Sequence, residues 1–388
     1  MIFSLGPFLL YLFLLFRLVI FSGLKRRLIK VLAGLILLPL ALPWAINRFL
    51  LGSGAAPELP SLALKIQGWC FFALILLLIL LLLYDLLRLG KKLSGLLRSA
   101  RNSPGKAPLS PGRRKAMFAM LTILPTTYGL KQAVDVPEVH KTEITLHKLP
   151  KDLDGLNIVQ VSDLHASALF LGDRISAVVE RVNALNADLV LFTGDMVDGL
   201  PASRLKSLSS LPDIKSRYGV YACAGNHEYY SNYPAWMKAF PQLGLTMLLN
   251  SHAVLNINGH QLVLAGLTDV AAAGYNLESP DLGKALANAP ENALRILLDH
   301  RPNKAPQNAE FALNLQRPLD LQLSGHTHGG QIVGMSRIVA RLNQGFVYGW
   351  YNVNGMPLYV SSGAGLWSGF PIRLGVPSEI AQITLHSV

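Results

Sequence analysis

Residues 156–165 read Leu-Asn-Ile-Val-Gln-Val-Ser-Asp-Leu-His, a short apolar run that ends in a carboxylate and an imidazole. The run is rich in aliphatic residues and has the length of a strand buried in a sheet. Asp163 and His165 stand two positions apart at its end, so both side chains can converge on one ion once the pleat relaxes. The stretch predicts a strand at 156–161, part of an α/β sheet, with a ligand-binding group at its carboxyl end.

The same arrangement recurs four times further along the chain. Apolar runs at 188–193, 219–224, 295–298 and 319–323 precede four more polar clusters, which are Gly194-Asp195, Gly225-Asn226-His227-Glu228, His300 and Gly325-His326-Thr327-His328. Ligands of open α/β sheets bind beyond the carboxyl ends of the strands. We therefore expect all five clusters to meet at one edge of the fold.

Other segments complete the expected fold. Apolar residues at helical spacing predict an amphipathic helix between the first two runs: Ile175, Val178, Val179, Val182 and Leu185. Runs at 261–267, 357–361 and 380–385 are interpreted as antiparallel strands of a second sheet, and residues 363–369 as a loop.

The clusters contain enough donor groups for two divalent metal ions. Asp195 can bridge two ions because an ionised carboxylate has lone pairs on both oxygens, and Asn226 offers an amide oxygen. The other candidate ligands are Asp163, His165, His300, His326 and His328. Such oxygen and nitrogen ligands suit Mn, Fe, Zn, Co or Ni without choosing among them. Two neighbouring ions activate a bridging water and brace an in-line displacement, which predicts a hydrolase.

In chain order, the five clusters resemble the pattern of the calcineurin-like metallophosphoesterases, D-x-H, GD, GNH[DE], H and GHxH. The likeness covers about residues 140–388, and five clusters in order are far more specific than any single one. It implies an α/β sandwich of two β-sheets flanked by helices. It further implies that one metal ion is held by Asp163, His165, Asp195 and His328. The second would be held by Asp195, Asn226, His300 and His326.

The resemblance also assigns roles to the two residues after Asn226. His227 matches the family histidine that contacts the phosphate and protonates the leaving group, and Glu228 is expected to orient that imidazole. Asp198 and Asp299 lie beside motif residues and either assist the site or are solvated or cap helices; the solvated or capping roles are expected. The histidines outside the motifs are expected to be surface or satisfied core residues: His140, His147, His252, His260 and His386.

The resemblance can be narrowed to one branch of the family by two segments, residues 323–331 and the Gly/Ser-rich tail that ends at 369–373. They are similar to the YkuE-like or YaeI-like branch of bacterial membrane-associated phosphodiesterases. Ala166 and Ser167 follow His165 where many relatives carry Leu-Gly. This departure leaves the ligands intact but is expected to reshape the substrate pocket.

The first 135 residues differ sharply in composition from the rest. The 388-residue chain is 51% hydrophobic, with a net charge of +12. Residues 1–135 hold 17 Lys/Arg against 3 Asp/Glu, a balance of +14, whereas residues 136–388 hold 18 against 20, a balance of −2. The basic residues accompany apolar segments, which indicates membrane topology rather than nucleic-acid binding. We predict a transmembrane region of about four helices at 1–135 and a catalytic domain at 136–388.

Three apolar stretches, at about 2–21, 28–46 and 68–87, reach the roughly 20 residues that a membrane-spanning helix needs. A fourth, at about 116–130, is shorter and contains Pro125. Lys and Arg are abundant in the first and third loops and sparse in the second, which places the N-terminus outside the cytoplasm. The predicted location is the bacterial inner membrane, multi-pass. The catalytic domain is extracytoplasmic if the fourth stretch spans, and cytoplasmic if it does not.

Arg113-Arg114, just before the fourth stretch, has two interpretations. The pair either marks the inner end of a span or forms a twin-arginine export signal within the chain. Both interpretations send the catalytic domain across the membrane.

Taken together, these features predict a membrane-anchored, metal-dependent phosphoesterase that hydrolyses phosphodiester or phosphomonoester bonds of lipid or envelope-related substrates. One alternative is a lipid-linked nucleotide pyrophosphatase resembling UDP-diacylglucosamine hydrolases, which a cytoplasmic domain would favour. Another is a catalytically silent membrane scaffold, which the complete ligand set disfavours. Cys70 and Cys223 provide no disulfide framework, and the sequence does not define an oligomeric state.

Overall fold

The computed structural model describes residues 58–97 and 110–388, which fall into two compact units. Within the described ranges, the first unit comprises residues 62–131, and the second comprises residues 58–61 together with 132–388. The predicted spans at 2–21 and 28–46 lie outside the described residues.

Two helices account for the described part of the first unit, α1 (Ser61–Leu97) and α2 (Pro111–Val134). Within the described ranges, Ser61–Ser94 is the one helical segment long and apolar enough to cross a membrane, and it contains the stretch predicted at 68–87. The stretch predicted at 116–130 is helical throughout and contains Pro125. Thr126 on α2 donates a side-chain hydrogen bond to the carbonyl of Thr122.

Twelve strands of the second unit form two six-stranded sheets. The first sheet has the order β1-β12-β2-β3-β4-β5 and the second has the order β10-β11-β9-β8-β7-β6. The strand bounds are β1 Glu138–Thr145, β2 Leu156–Val161, β3 Leu189–Thr193, β4 Val220–Cys223, β5 Thr246–Met247, β6 Ser251–Ile257, β7 His260–Gly266, β8 Leu294–Leu298, β9 Leu321–Ser324, β10 Gly349–Val353, β11 Met356–Val360 and β12 Glu379–His386.

Helices flank the two sheets. Their bounds are α3 Gly172–Ala184, α4 Pro201–Arg204, α5 Asn226–Tyr230, α6 Tyr233–Ala239, α7 Leu282–Ala285, α8 Ala305–Asn314 and α9 Ser336–Leu342. The predicted apolar stripe of α3 packs on the first sheet, where Ile175 and Val178 share a core with Val159. Ala305 and Ala309 of α8 pack on the second sheet. The expected sandwich of two sheets flanked by helices is confirmed.

The facing sides of the sheets bury a common apolar core. Ile158 and Leu191 of the first sheet pack in one cluster with Leu264, Ile296 and Leu323 of the second. This core fixes the two sheets face to face. The polar loops that follow strands of the two sheets can therefore come together.

Strand direction explains why the five clusters converge. β2, β3, β4 and β5 are mutually parallel in the first sheet, and β7, β8, β9 and β11 are mutually parallel in the second. Parallel strands bring their carboxyl ends to the same edge of a sheet. Every predicted metal-binding cluster follows the carboxyl end of one of these strands.

The predicted placement of the last strand was wrong. β12 belongs to the first sheet, where it pairs antiparallel with β2 and parallel with β1. β7 and β11 do lie in the second sheet, but each pairs parallel with one neighbour and antiparallel with the other. Alternation of apolar residues identifies a strand but not its partner, so the sheet assignment had no local basis.

Candidate metal centre

Five candidate ligands have backbones in the left-handed region, which residues other than glycine seldom adopt. Their φ angles are 52° at Asp163, 46° at His165, 52° at Asp195, 74° at His326 and 48° at His328. Such positions cost on the order of 1–3 kcal/mol each and persist where the surrounding fold imposes them. The turns after β2, β3 and β9 are therefore strained where they carry the candidate ligands.

Two motif glycines are required by close approach of the chain. A Cβ atom on Gly325 would lie 1.9 Å from Ser162 Oγ and 2.3 Å from Asp163 Oδ2. A Cβ atom on Gly225 would lie 2.3 Å from Asp195 Oδ1. Both glycines thus allow one strand end to lie directly against the carboxylate of another.

Asp163, His165 and His328 form the first cluster, and all three are buried. The Nε2 atoms of His165 and His328 are 3.3 Å apart, and His328 Nε2 lies 3.5 Å from Asp163 Oδ1. Asp163 is held by Ser162, whose hydroxyl donates to Oδ2 at 2.5 Å, and by the backbone N–H of His326. The donor atoms are close enough to bind one ion together.

Asp195, His300 and His326 form the second cluster. His300 Nε2 lies 3.2 Å from Asp195 Oδ2 and 3.2 Å from His326 Nδ1. The other ring nitrogen, His300 Nδ1, lies 2.8 Å from the carbonyl of Thr193 and can donate to it. That contact fixes the imidazole and leaves Nε2 facing the cluster.

Asp195 connects the two clusters. Its Oδ2 lies 3.2 Å from His300 Nε2 in the second cluster and 3.8 Å from His165 Nε2 of the first. Oδ1 accepts a hydrogen bond from the backbone N–H of His227. A single carboxylate therefore borders two sets of imidazoles, which is the position of a bridging ligand.

Asn226 supplies an independent indication of a cation-binding site. Its Oδ1 is buried and has no hydrogen-bond partner within the described ranges. A buried amide oxygen without a partner is costly unless something else satisfies it. A hard or borderline divalent cation satisfies such an oxygen, so the residues present fit the metal centre that the sequence predicts.

Burial and neighbouring charges set the protonation of the centre. Burial, followed by the positive charge at His300, lowers the pKa of His326 well below its usual range, and burial does the same for His328. Burial would also lower the pKa of His300, but the Asp195 carboxylate overrides it and raises that pKa to about 10. His326 and His328 are therefore neutral, as metal ligands must be. The raised pKa of His300 favours a second ring proton, on Nε2, which a bound cation would displace.

His227 is oriented by Asp198 rather than by Glu228. Its Nδ1 lies 2.5 Å from Asp198 Oδ1, which is also 3.2 Å from Nδ1 of His165. Burial would lower the pKa of His227, but the charges of Asp195 and Asp198 raise it to about 9. The expectation that Asp198 is solvated or caps a helix was wrong, because its side chain is fully buried between two imidazoles.

Glu228 holds the backbone instead of the imidazole. Its carboxylate accepts hydrogen bonds from the backbone N–H groups of Asp195 at 3.0 Å, Met196 at 2.6 Å and Gly225 at 2.7 Å. The predicted role of orienting His227 is therefore corrected: α5 turns the Glu228 side chain toward the loop after β3. Glu228 thus ties the Asp195 loop to the Asn226 loop.

The sequence did not predict an ion pair, Arg301 with Asp269, that lies beside the second cluster. Arg301 binds the buried Asp269 with Nε at 2.7 Å and Nη2 at 3.1 Å, and its Nη1 lies 3.5 Å from His326 Nε2. A cavity of about 420 Å³ is lined by both residues together with Lys304 and Asn308. Arg301 directly follows His300, but nothing in one sequence distinguishes it from an ordinary surface arginine.

The remaining residues singled out from the sequence lie outside the two clusters. Asp299 is buried and accepts a hydrogen bond from Asn308, so the expected solvated or capping role does not hold. His252 lies 2.7 Å from the carbonyl of Ala285, His260 contacts Asp152 and His386 contacts Asp154.

Comparison with known proteins finds similarity to metallophosphoesterases. A family model described as calcineurin-like phosphoesterase matches residues 156–330. A Danio rerio protein named transmembrane protein with metallophosphoesterase domain is 34% identical over 306 residues, which cover 77% of this chain and 68% of that protein.

Two bacterial relatives are similar. An uncharacterized metallophosphoesterase of Helicobacter pylori is 36% identical over 258 residues, or 66% of each chain. YkuE, an uncharacterized metallophosphoesterase of Bacillus subtilis, is 30% identical over 287 residues, which cover 70% of this chain and 96% of YkuE. The match thus spans about two thirds of the length of the Helicobacter protein and nearly all of YkuE.

Proposed function

Because the chain belongs to the calcineurin-like metallophosphoesterase family, we propose that it hydrolyses phosphoester bonds at a dinuclear metal centre built on Asp195. The family and the YkuE resemblance were both predicted from the motifs and are confirmed. The observation that carries the two-ion proposal is the position of Asp195, whose carboxylate borders both clusters of imidazoles. The family membership favours this hydrolase over a silent scaffold.

The proposed ligands divide as the motifs predict. Asp163, His165, Asp195 and His328 would hold one ion, and Asp195, Asn226, His300 and His326 would hold the other. Divalent ions bound there would supply positive charge at the phosphate and make a water molecule a competent nucleophile near neutral pH. The unpartnered Asn226 Oδ1 and the neutral His326 and His328 support this assignment.

His227 is the residue proposed to act on the leaving group. Asp198 occupies its Nδ1, so Nε2 is the nitrogen left to contact a substrate oxygen and donate a proton. The His227 side chain is 14% exposed, whereas those of His165 and His300 are fully buried. Substrate can therefore reach His227 while the two inner imidazoles are shielded from solvent.

We further propose that the natural substrate is a lipid or envelope phosphate. The chain carries an apolar helix, Ser61–Ser94, long enough to cross a membrane, and one relative is named a transmembrane protein. The charge pattern of residues 1–135 supports a location in the bacterial inner membrane, with the catalytic domain outside the cytoplasm on the condition that the stretch at 116–130 spans the membrane. A reporter fused after Val388 would test the side. Activity of a cytoplasm-only reporter would contradict an extracytoplasmic domain.

One observation favours the lipid-linked nucleotide pyrophosphatase as a second candidate. The rings of Tyr230 and Tyr275 are 44% and 48% exposed, and Tyr230 lies 5.2 Å from His227 between ring centroids. Exposed aromatic rings beside a phosphate site offer stacking surfaces to a nucleobase. The two candidate functions are distinguished by their substrates. A nucleotide-linked diphosphate can stack its base on Tyr230 and Tyr275, whereas a simple lipid phosphate has no base to stack.

The test is turnover by the purified full chain. Detergent-solubilised protein, stripped of metal and reloaded with Mn²⁺ or Zn²⁺, is assayed on an aryl phosphodiester, an aryl phosphomonoester and a UDP-linked lipid. Metal-dependent hydrolysis with two retained ions per chain supports the proposal. Absence of turnover on all three, with no metal retained, would overturn it.

A further inference from the structure

An unusual surface directly follows the last metal-binding motif. We define the basic apolar face as Val333, Met335, Arg337, Ile338, Arg341 and Leu342, on α9 and the turn before it. Its apolar side chains are strongly exposed within the described ranges, at 70% for Val333, 52% for Ile338 and 75% for Leu342. No residue of α9 is buried. A short helix that has no fully buried residue and exposes a group of aliphatic side chains is typical of a surface that contacts a partner.

The basic apolar face is fixed to the metal centre. The hydroxyl of Thr327, between His326 and His328, donates to the carbonyl of Val347 just beyond α9. At the other end, the backbone N–H of Val333 donates to the carbonyl of Leu374 at 2.9 Å. Whatever binds the face is therefore held within a few residues of the candidate ligands.

Charge decides which partner the face suits. No Asp or Glu occurs between Asp320 and Glu379, whereas the unit that contains this segment is slightly acidic as a whole. Arg337 and Arg341 stand beside exposed Ile338 and Leu342, so cationic and apolar groups are interleaved on one helix. This combination is typical of helices that lie in the interface of a bilayer with anionic lipids.

A bilayer also suits the chain as a whole. The chain carries a helix apolar and long enough to span a membrane, and such an anchor would keep a lipid surface within reach of the domain. A second copy of this chain suits the face less well, because a symmetric pairing would oppose Arg337 and Arg341 to themselves with no acidic residue in the segment to neutralise them.

We propose that the basic apolar face rests on the surface of an anionic phospholipid bilayer and thereby holds the metal centre against lipid headgroups. The inference goes beyond the proposed chemistry, since it concerns where the domain lies. It would make lipid phosphates the substrates that reach the site first.

The experiment places an environment-sensitive fluorophore on the full chain. Ile338→Cys is compared with Leu313→Cys, which is matched in exposure at 52% and 51%. Leu313 lies at the carboxyl end of α8, just before β9 begins, and hence at the opposite edge of the sheet from the clusters. Both variants carry Cys70→Ser, and Cys223 is buried. The chains are reconstituted into vesicles of phosphatidylcholine with or without phosphatidylglycerol, each containing a spin-labelled lipid quencher.

The expected result is a blue shift and lipid quenching of the label at position 338 in phosphatidylglycerol vesicles, with neither change at position 313. Arg337→Gln with Arg341→Gln should weaken the contact by about fivefold per arginine, the change that about 1 kcal/mol per basic residue near an anionic surface corresponds to. Equal quenching at 338 and 313, or none at 338, would overturn the proposal. So would self-quenching between labelled chains, which would assign the face to a second copy. The readout requires neither metal nor turnover, so its failure is distinct from failure of the proposed function.

Discussion

Asp198 Oδ1 lies 2.5 Å from Nδ1 of His227 and is buried away from solvent. The same oxygen reaches Nδ1 of His165, a proposed ligand, at 3.2 Å. One carboxylate therefore orients both a candidate metal ligand and the candidate leaving-group acid. Partners of this kind fix the tautomer and the ring orientation of a histidine.

We predict that Asp198→Ala lowers kcat/KM by about 10–100-fold at saturating metal, because His227 loses the contact that fixes its ring. The loss should be larger for an alkyl phosphodiester than for an aryl one, since a poor leaving group depends more on proton donation. Steady-state kinetics on the two substrates checks this. Asp173→Asn, an exposed change in the first turn of α3, is the control. Equal losses on both substrates would argue for a merely structural role.

Asp195→Asn should remove both metal ions together. The substitution keeps the shape of the side chain but replaces a charged oxygen with an amide nitrogen, which cannot bridge cations. His326→Ala and His328→Ala should each weaken one ion, because each histidine belongs to one cluster. The metal-to-protein ratio of the purified full chain is the measurement. Two tightly held ions in Asp195→Asn would contradict the bridging role.

Glu228→Gln should lower stability and activity together. The native carboxylate accepts three backbone N–H groups, and a glutamine presents an NH₂ group to at least one of them. A buried donor left unsatisfied costs about 1–3 kcal/mol, so the melting temperature of the solubilised chain should fall measurably. Unlike Asp198→Ala, the variant should lose activity equally on aryl and alkyl phosphodiesters. A selective loss on the alkyl substrate would restore the predicted role of Glu228 in orienting His227.

Gly325→Ala should destroy the first cluster. The new methyl group would lie 1.9 Å from Ser162 Oγ, closer than any real contact, so the loop after β9 must move. We expect loss of at least the ion proposed to bind Asp163 and His328, measured as metal content. Gly274→Ala is the matched control, because a Cβ atom there meets nothing within 4 Å. Retention of two ions in Gly325→Ala would show that the loop adjusts without cost to the centre.

The sequence predicted what depends on local pattern. The bounds of β2 match the predicted 156–161, and β3, β4, β8 and β9 lie within two or three residues of the predicted runs. The motifs identify the candidate ligands because each motif stands directly after a buried strand. These properties are set by neighbouring residues, so one sequence is enough to read them.

The rest depends on contacts between distant residues. His227 and Asp198 are 29 positions apart, and Arg301 and Asp269 are 32 apart. No periodicity links such pairs, since they meet only after the sheets align the loops. The same reason explains β12, whose alternating pattern fits either sheet. Adjacency in sequence suggested Glu228 as the partner of His227, whereas the helical turn of α5 directs the carboxylate to the backbone instead.

The last prediction concerns Arg301 as a substrate contact. Its Nε and Nη2 are occupied by Asp269, whereas Nη1 lies 3.5 Å from His326 Nε2 at the edge of the second cluster. A guanidinium with one corner directed to a metal centre can donate to a phosphate oxygen bound there. Arg301 therefore fits a role in binding substrate rather than metal.

Arg301→Lys keeps the charge that pairs with buried Asp269 but removes the planar fork, so the protein should fold and retain its metal. Loss of a hydrogen bond to a charged group costs about 1.5–3 kcal/mol, which corresponds to a decrease in kcat/KM of about tenfold or more. Because the contact is to the bound phosphate, part of the loss should appear as a higher KM. Lys304→Arg, on the same cavity wall but without a contact to Asp269, is the comparison. If Arg301→Lys instead released metal with KM unchanged, Arg301 would act on His326 and not on the substrate.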